Sequence, residues 1–280
     1  METRPRKVLS INLAKKEYEV KSFEDLNNYI GGVGLGFKLM ELYYDKNPLI
    51  FAVGPLNGFF PFASKTAVVL NNDGVIEDIY LGGNISLRIR YAGLDAIVIY
   101  GTSPEPAVLD ILNAAVSFKS VNENPEKLGL PGKKSVLKLE GSKVLLGGYF
   151  GTPEHYLEKE FEDKNLYGIV ITGTELMHIS DFDKYEELYS RILNRKDDLS
   201  VLEGTYPSCS NCPMGCGKSQ TGEMGGNVLL HSLVACQYAD KIYTDVGIVF
   251  SCLNVLGYNY THEDIESLPR LIEQTLRRIS

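Results

Sequence analysis

Gly93-Leu94-Asp95-Ala96-Ile97-Val98-Ile99-Tyr100-Gly101-Thr102 recurs, 72 positions later, as Asn165-Leu166-Tyr167-Gly168-Ile169-Val170-Ile171-Thr172-Gly173-Thr174. Each copy is a short apolar run closed by glycine, the pattern of a buried strand. Two copies are too few for a solenoid. They predict two half-domains of strands, each with a helix.

Working outward, the first 180 residues read as mostly strand. Val8 to Leu13 begins an extended segment, and Tyr18-Glu19-Val20 returns as its hairpin partner across Ala14-Lys15-Lys16. Leu49 to Val53 is an apolar run stopped by Gly54-Pro55, and Thr66 to Leu70 ends in the turn Asn71-Asn72-Asp73-Gly74. Val108 to Leu112, Val144-Leu145-Leu146 and Ile169-Val170-Ile171 complete the set, with Gly147-Gly148 as the loose counterpart of Gly54-Pro55. Phe23 to Tyr44 reads as helical at both ends. Its Gly31-Gly32-Val33-Gly34-Leu35-Gly36 core opposes a helix interior at roughly 1 kcal/mol per glycine, so a loop opening a helix at Phe37 is expected.

Beyond Ser180 the pattern turns helical. Asp183 to Asn194 places Tyr185, Leu188 and Ile192 on one face, and Val228–Tyr238 and Val246–Leu256 read as buried helices. Thr261 is a candidate N-cap with Asp264 three positions on. Ile265, Leu268, Ile272, Leu276 and Ile279 then recur as one apolar face, interrupted by Pro269. The expected fold class is α+β: a β-rich unit over residues 1–180, then a helical unit over 181–280.

Apolar residues make up 44% and charged residues 23% of the 280, and the net charge is −8. An acidic balance argues against nucleic acid as a general partner. No run approaches the ~18 apolar residues of a membrane span, and no apolar stretch follows the charged N-terminus as a signal peptide requires. A cytoplasmic protein is expected.

All five cysteines, Cys209, Cys212, Cys216, Cys236 and Cys252, lie after residue 208, and three of them fall in Pro207-Ser208-Cys209-Ser210-Asn211-Cys212-Pro213-Met214-Gly215-Cys216-Gly217-Lys218. A disulfide scaffold spreads its cysteines. Short spacings instead wrap backbone around a metal, with Pro213 and Gly215 suited to the tight loop and nearby N–H groups free to bond sulfide. The pattern points to a [4Fe-4S] cluster on Cys209, Cys212 and Cys216, with a Cys₄ zinc site as its rival. The fourth ligand is left open: Cys252 ahead of Cys236, or a group from a partner, a small molecule or a non-cysteine side chain. His155, His178, His231 and His262 are too dispersed for a metal triad, and Gly31 to Gly36 lacks the lysine of a phosphate loop.

Several stretches also carry a family likeness. Gly31 to Gly36, Asn47-Pro48-Leu49-Ile50-Phe51-Ala52-Val53-Gly54-Pro55-Leu56-Asn57-Gly58, Tyr91 to Ile99 and the Cys209-to-Lys218 loop resemble, in order, motifs of the tungstopterin aldehyde ferredoxin oxidoreductase family. The resemblance implies two β-sheets in a pseudo-twofold platform followed by helical domains. It implies a tungsten or molybdenum bis-pterin beside a [4Fe-4S] cluster, passing electrons from an aldehyde to ferredoxin. The positions matching the family's pterin contacts are Lys65, in Ser64-Lys65-Thr66; Gly82 and Gly83, in Tyr80-Leu81-Gly82-Gly83; and Asn254 and Asn259, where the family has carboxylates. The chain departs from the family by stopping before the last helical domain, which supplies the family's fourth cluster cysteine. The stretch Glu154 to Lys164 is acidic where a pterin loop is rich in Arg and Gly.

Three readings follow. The first is an iron–sulfur electron-transfer protein working with ferredoxin or another redox protein, with its tungsto- or molybdopterin site eroded. The second is a tungsto- or molybdopterin aldehyde oxidoreductase completed by a second subunit. The third is a scaffold with a structural metal. A homodimer or partner subunit is expected to cover apolar surface around the cluster loop and Val246–Leu256, unless the helix from Asp264 to Ile279 folds back over it.

Overall fold

The computed structural model describes residues 5–177, 179, 181–222, 224 and 226–279. His178 and the boundary drawn at Ser180 lie outside these residues.

A hairpin of β1 (Arg6–Asn12) and β2 (Glu17–Phe23) opens the chain, followed by β3 (Leu49–Ala52), β4 (Thr66–Asn72), β5 (Val75–Leu81) and β6 (Ala96–Tyr100), in a six-stranded sheet of order β2-β1-β6-β3-β4-β5. A second hairpin, β7 (Ala107–Leu112) and β8 (Ala115–Ser120), is followed by β9 (Lys134–Glu140), β10 (Lys143–Leu146) and β11 (Leu166–Thr172), in a five-stranded sheet of order β10-β9-β11-β7-β8. The two echoing segments are β6 and β11. Each runs parallel to the inner strand of its hairpin and antiparallel to the strand on its other side. The helix before each is α2 (Ile85–Tyr91) in one half and α3 (Tyr156–Asp163) in the other. The sequence echo is thus a repeated topology, and the fold is α+β. One detail changes. β3 corresponds to β9, so the counterpart of Gly54 is Gly141 rather than Gly147-Gly148.

Strand alternation builds the layers. Leu9, Ile11, Phe51, Ile97 and Ile99 face the second sheet and meet Leu109, Ile111, Leu137, Ile169 and Ile171. Val8, Ile50, Ala52, Val69 and Val98 face the opposite way, into a core completed by helices. The central strands are therefore apolar on both faces, as covered sheets require. The covering helices are α1 (Gly32–Tyr43), α4 (Phe182–Leu193), α5 (Val228–Leu233), α6 (Asp240–Tyr243), α7 (Val246–Val255) and α8 (His262–Ile279). Thr261 and Asp264 form a reciprocal capping box at the start of α8. Pro269 sits inside α8 without ending it.

Two helices differ from expectation. α1 begins at Gly32 and takes the glycines into its first turns, because a Cβ on Gly36 would lie 2.6 Å from Val69 Cγ2. Close packing on the sheet outweighs helix propensity here. α5 stops at Leu233, where Val234 takes φ +51°.

One buried ion network ties the halves of the first sheet to the helices. Asp95 accepts from Arg90 at 2.8 Å, from Arg6 at 3.4 Å and from the Lys7 N–H at 2.9 Å. Arg90 also donates to the Gly54 carbonyl at 2.6 Å, and Arg6 to the Ile30 carbonyl and the Tyr260 hydroxyl. Burial pushes the Asp95 carboxyl up, but Arg90, Arg6 and the Lys7 N–H outweigh it and hold it below its ordinary value. The carboxylate therefore contributes stability at neutral pH, lost as pH falls below about 4 and through the folded value. Asp95→Asn strands two buried guanidiniums and should cost about 3–5 kcal/mol in urea unfolding at pH 7. The deficit should shrink toward pH 3. A deficit independent of pH would show that Asp95 serves only by shape.

Candidate metal centre

The cysteine loop is coil, so its shape comes from hydrogen bonds to the platform. Ser210 N–H donates to the Gly83 carbonyl at 2.9 Å, and Phe62 N–H donates to the Asn211 carbonyl at 3.0 Å. Cys236 N–H in turn donates to the Phe62 carbonyl at 2.8 Å. Phe62 thus clasps the Cys209–Cys212 loop on one side and Cys236 on the other. It is fully buried with φ +65°, a left-handed conformation that is an outlier for a bulky residue. Val234, β-branched at φ +51°, turns the chain out of α5 and accepts from Lys65 N–H at 3.1 Å. Two strained residues therefore aim Cys236 at the loop.

The result is one narrow cavity lined by Cys209, Cys212, Cys216 and Cys236, with Ser64, Lys65 and Lys218 beside them. Burial pushes the Cys212 thiol up to about 12 and the Cys236 thiol to about 11, with the Lys65 charge opposing the rise at Cys236. Four sulfurs lining one cavity are the donor type that a thiolate-ligated centre uses. Among the described residues, no group of three or more His, Cys, Asp or Glu side chains is placed to hold a metal ion.

Cys252 lies elsewhere. It is fully buried on α7 within the apolar core, its thiol pushed up to about 12 by burial with Arg191 opposing. It does not line the cavity, whereas Cys236 does. The sequence held a signal for this. Ile248, Val249, Cys252 and Val255 share helical spacing, which marks Cys252 as a core residue.

Of the five positions matched to pterin contacts, Lys65, Gly82 and Gly83 gather at the cysteine loop, and Asn254 and Asn259 lie elsewhere. Lys65 lines the cysteine cavity. At Gly82 a Cβ would lie 3.0 Å from Cys209 Sγ and 3.0 Å from the Ser219 carbonyl; at Gly83 it would lie 2.5 Å from Leu146 and 2.8 Å from Phe150. That turn is thus covered by the cluster loop and by side chains of the second half. Tyr80, where the family has Asn, donates to Asp78 at 2.6 Å and packs on His231. Asn254 is exposed at a different cleft, between α4 and α7, and Asn259 is exposed in the turn before α8. These residues do not fit a bis-pterin.

The expected apolar face is also redrawn. Ile248 and Leu253 point into the core, and α8 packs against α1 and α5 rather than lining the cysteine cavity. Val246, at the start of α7, is exposed, and further exposed apolar side chains include Leu176, Phe182, Leu202 and Tyr206.

Gly82→Ala should push the cysteine loop away from the platform. In the metal-free chain, labelling of Cys209 by a thiol reagent, assigned against Cys209→Ser, should speed up several-fold with circular dichroism unchanged. An unchanged rate would mean that the loop is not held by this contact.

Comparison with known proteins gives the same frame. The family model described as aldehyde ferredoxin oxidoreductase, N-terminal domain, matches residues 8–174. An aliphatic sulfonate oxidoreductase, WOR-like subunit, of Pyrococcus furiosus is 26% identical over 200 residues, covering 64% of this chain and 31% of the relative. A tungsten-containing aldehyde ferredoxin oxidoreductase of Pyrococcus abyssi is 24% identical over 233 residues, covering 72% of this chain and 38% of the relative. The chain therefore spans about a third of the length of these curated relatives. The solved active site complex BamBC of benzoyl coenzyme A reductase, with 1,5-dienoyl-CoA, shares the fold at a TM-score of 0.63 and 16% identity, over 99% of this chain and 64% of that one. No helix among the described residues is long and apolar enough to cross a membrane. With more than half its length matched by the N-terminal domain model, the chain belongs to the aldehyde ferredoxin oxidoreductase family.

Proposed function

We propose that this chain is the iron–sulfur electron-transfer component of an oxidoreductase of its family, holding a [4Fe-4S] cluster on Cys209, Cys212, Cys216 and Cys236. The observation that carries the reading is the shared cavity of these four thiols. A bound cluster would supply one-electron transfer. The chain's part is to present deprotonated sulfur, to keep Lys65 as a positive charge beside the cavity, and to exclude bulk water by packing Gly82 and Phe62 against the loop. Its electron partner is ferredoxin or another redox protein, in a reducing compartment such as the cytoplasm.

The division into a platform over 1–180 and a helical cluster-binding unit over 181–280 belongs to the same reading. A partner subunit is supported by the relative named as a WOR-like subunit and by the BamBC complex. The exposed Leu202 and Tyr206, on the stretch leading into the cysteine loop, are where we place it.

A second reading draws on the relatives named as tungsten-containing: the chain takes part in a tungsto- or molybdopterin enzyme in which another subunit completes the pterin site. The placement of Asn254 and Asn259 away from Lys65, Gly82 and Gly83, and the side chains packed over Gly83, weigh against a pterin held by this chain alone.

Protein isolated without oxygen should contain about four irons and four sulfides per chain. Cys236→Ser should lower iron content and destabilise the visible absorption in air, whereas Cys252→Ser should keep both. Stoichiometric zinc without sulfide would overturn the cluster. Iron retained in Cys236→Ser and lost in Cys252→Ser would overturn the ligand assignment. Stoichiometric tungsten or molybdenum after growth with both oxyanions would favour the second reading.

A further inference from the structure

A second concavity lies beside the metal centre but outside it. α4 carries Phe182, Tyr185 and Tyr189 at three- and four-residue steps, so their rings share one face. Together with Phe59 and Tyr91 they line a cleft of about 370 Å³, and Glu186 is the one ionisable carboxylate or amine among its described lining residues. Gly58 and Asn211 complete the wall. Asn211 belongs to the cysteine loop, so the cleft abuts the backbone that shapes the metal site.

The rings are tilted against one another rather than stacked face to face. Phe182 and Tyr185 are 5.8 Å apart with planes tilted by 43°, and Tyr185 and Tyr189 are 5.9 Å apart at 48°. Tyr185 is fixed from behind by Phe60 and by its hydroxyl, which donates to the Phe59 carbonyl at 2.6 Å. Burial and the neighbouring Tyr189 and Tyr91 push its phenol up to about 12, so it stays neutral. Phe182, in contrast, is 59% exposed. Tyr91 already draws the Arg88 guanidinium to 5.9 Å from its ring. Aromatic faces present negative potential, and an adjacent carboxylate adds to it.

We propose that this cleft is a binding site for a small organic cation whose charge sits on alkylated nitrogen, such as a quaternary ammonium. Alkylated nitrogen has no N–H to satisfy, so it is recognised by ring faces and charge alone, which is what this wall offers. A protonated primary amine would need three acceptors converging on its N–H groups, and Glu186 is the wall's one carboxylate among the described lining residues. The site does not depend on the identity of the metal in the neighbouring cavity.

The test titrates the full-length, as-isolated protein by calorimetry with choline and with its neutral isostere 3,3-dimethylbutan-1-ol. Choline should saturate at one per chain and bind at least about tenfold more tightly than the isostere. Glu186→Gln and Tyr189→Phe probe charge and ring separately: the first should weaken choline several-fold, and the second should leave it nearly unchanged. Tyr189→Ala should abolish saturation, with circular dichroism confirming the fold. Equal affinity for choline and the isostere would overturn the proposal, as would absence of saturation in the parent protein or undiminished binding in Glu186→Gln.

Discussion

The Asp95 carboxylate is the point from which the geometry of the cysteine cavity is suspended. It holds Arg90, whose second amino group fixes the Gly54 carbonyl. The Gly54 N–H donates to Asn57 Oδ1 at 2.6 Å, and Asn57 Nδ2 donates to the carbonyls of Ala63 at 2.7 Å and Lys65 at 3.1 Å. Gly54 also packs so closely on α5 that a Cβ would lie 2.4 Å from the Leu233 carbonyl. One buried charge thus positions the Gly54 turn, the Phe62–Lys65 segment and the end of α5, which between them aim Cys236. Every link is fully or nearly fully buried, where hydrogen bonds are strong and an unpaired group is costly.

This architecture explains why the first sheet is so apolar. Its central strands β1, β3, β4 and β6 are sandwiched between the second sheet and the helices, whereas β2 and the start of β5 at its edges are exposed. The second sheet is covered mainly on its inner side, and its strands are accordingly more polar. That contrast governed what the sequence disclosed. β3, β4 and β6 are continuous apolar runs and were legible as strands, and the repeated phrase located β11. β8 and β9 alternate lysine and serine with apolar residues and gave no such signal, although β9 lies at the heart of the second sheet's pairing. β5 was hidden because half of it is exposed beyond the turn at Asp73.

At the candidate site the cysteine triplet was legible because its spacing is local. The rest depends on contacts far apart in the chain. Cys236 reaches the cavity through a strained Val234 and a hydrogen bond to Phe62, 174 positions away, and no residue pattern announces that. Cys252 was attractive only as an unassigned cysteine, and its helical register with Ile248, Val249 and Val255 places it in the core. The pterin-matched residues teach the converse lesson. Motif positions can persist in sequence while their surroundings change, and here Leu146, Phe150 and Ser219 occupy the space over Gly82 and Gly83.

In the proposed centre, four cysteines drawn from two separate segments hold one iron–sulfur cluster. Iron-edge X-ray absorption on protein isolated without oxygen tests it most directly, because it reports the atoms around the metal rather than its amount. The account predicts an all-sulfur first shell with a clear iron–iron distance behind it. Iron bound by nitrogen or oxygen, with no iron–iron scattering, would contradict it.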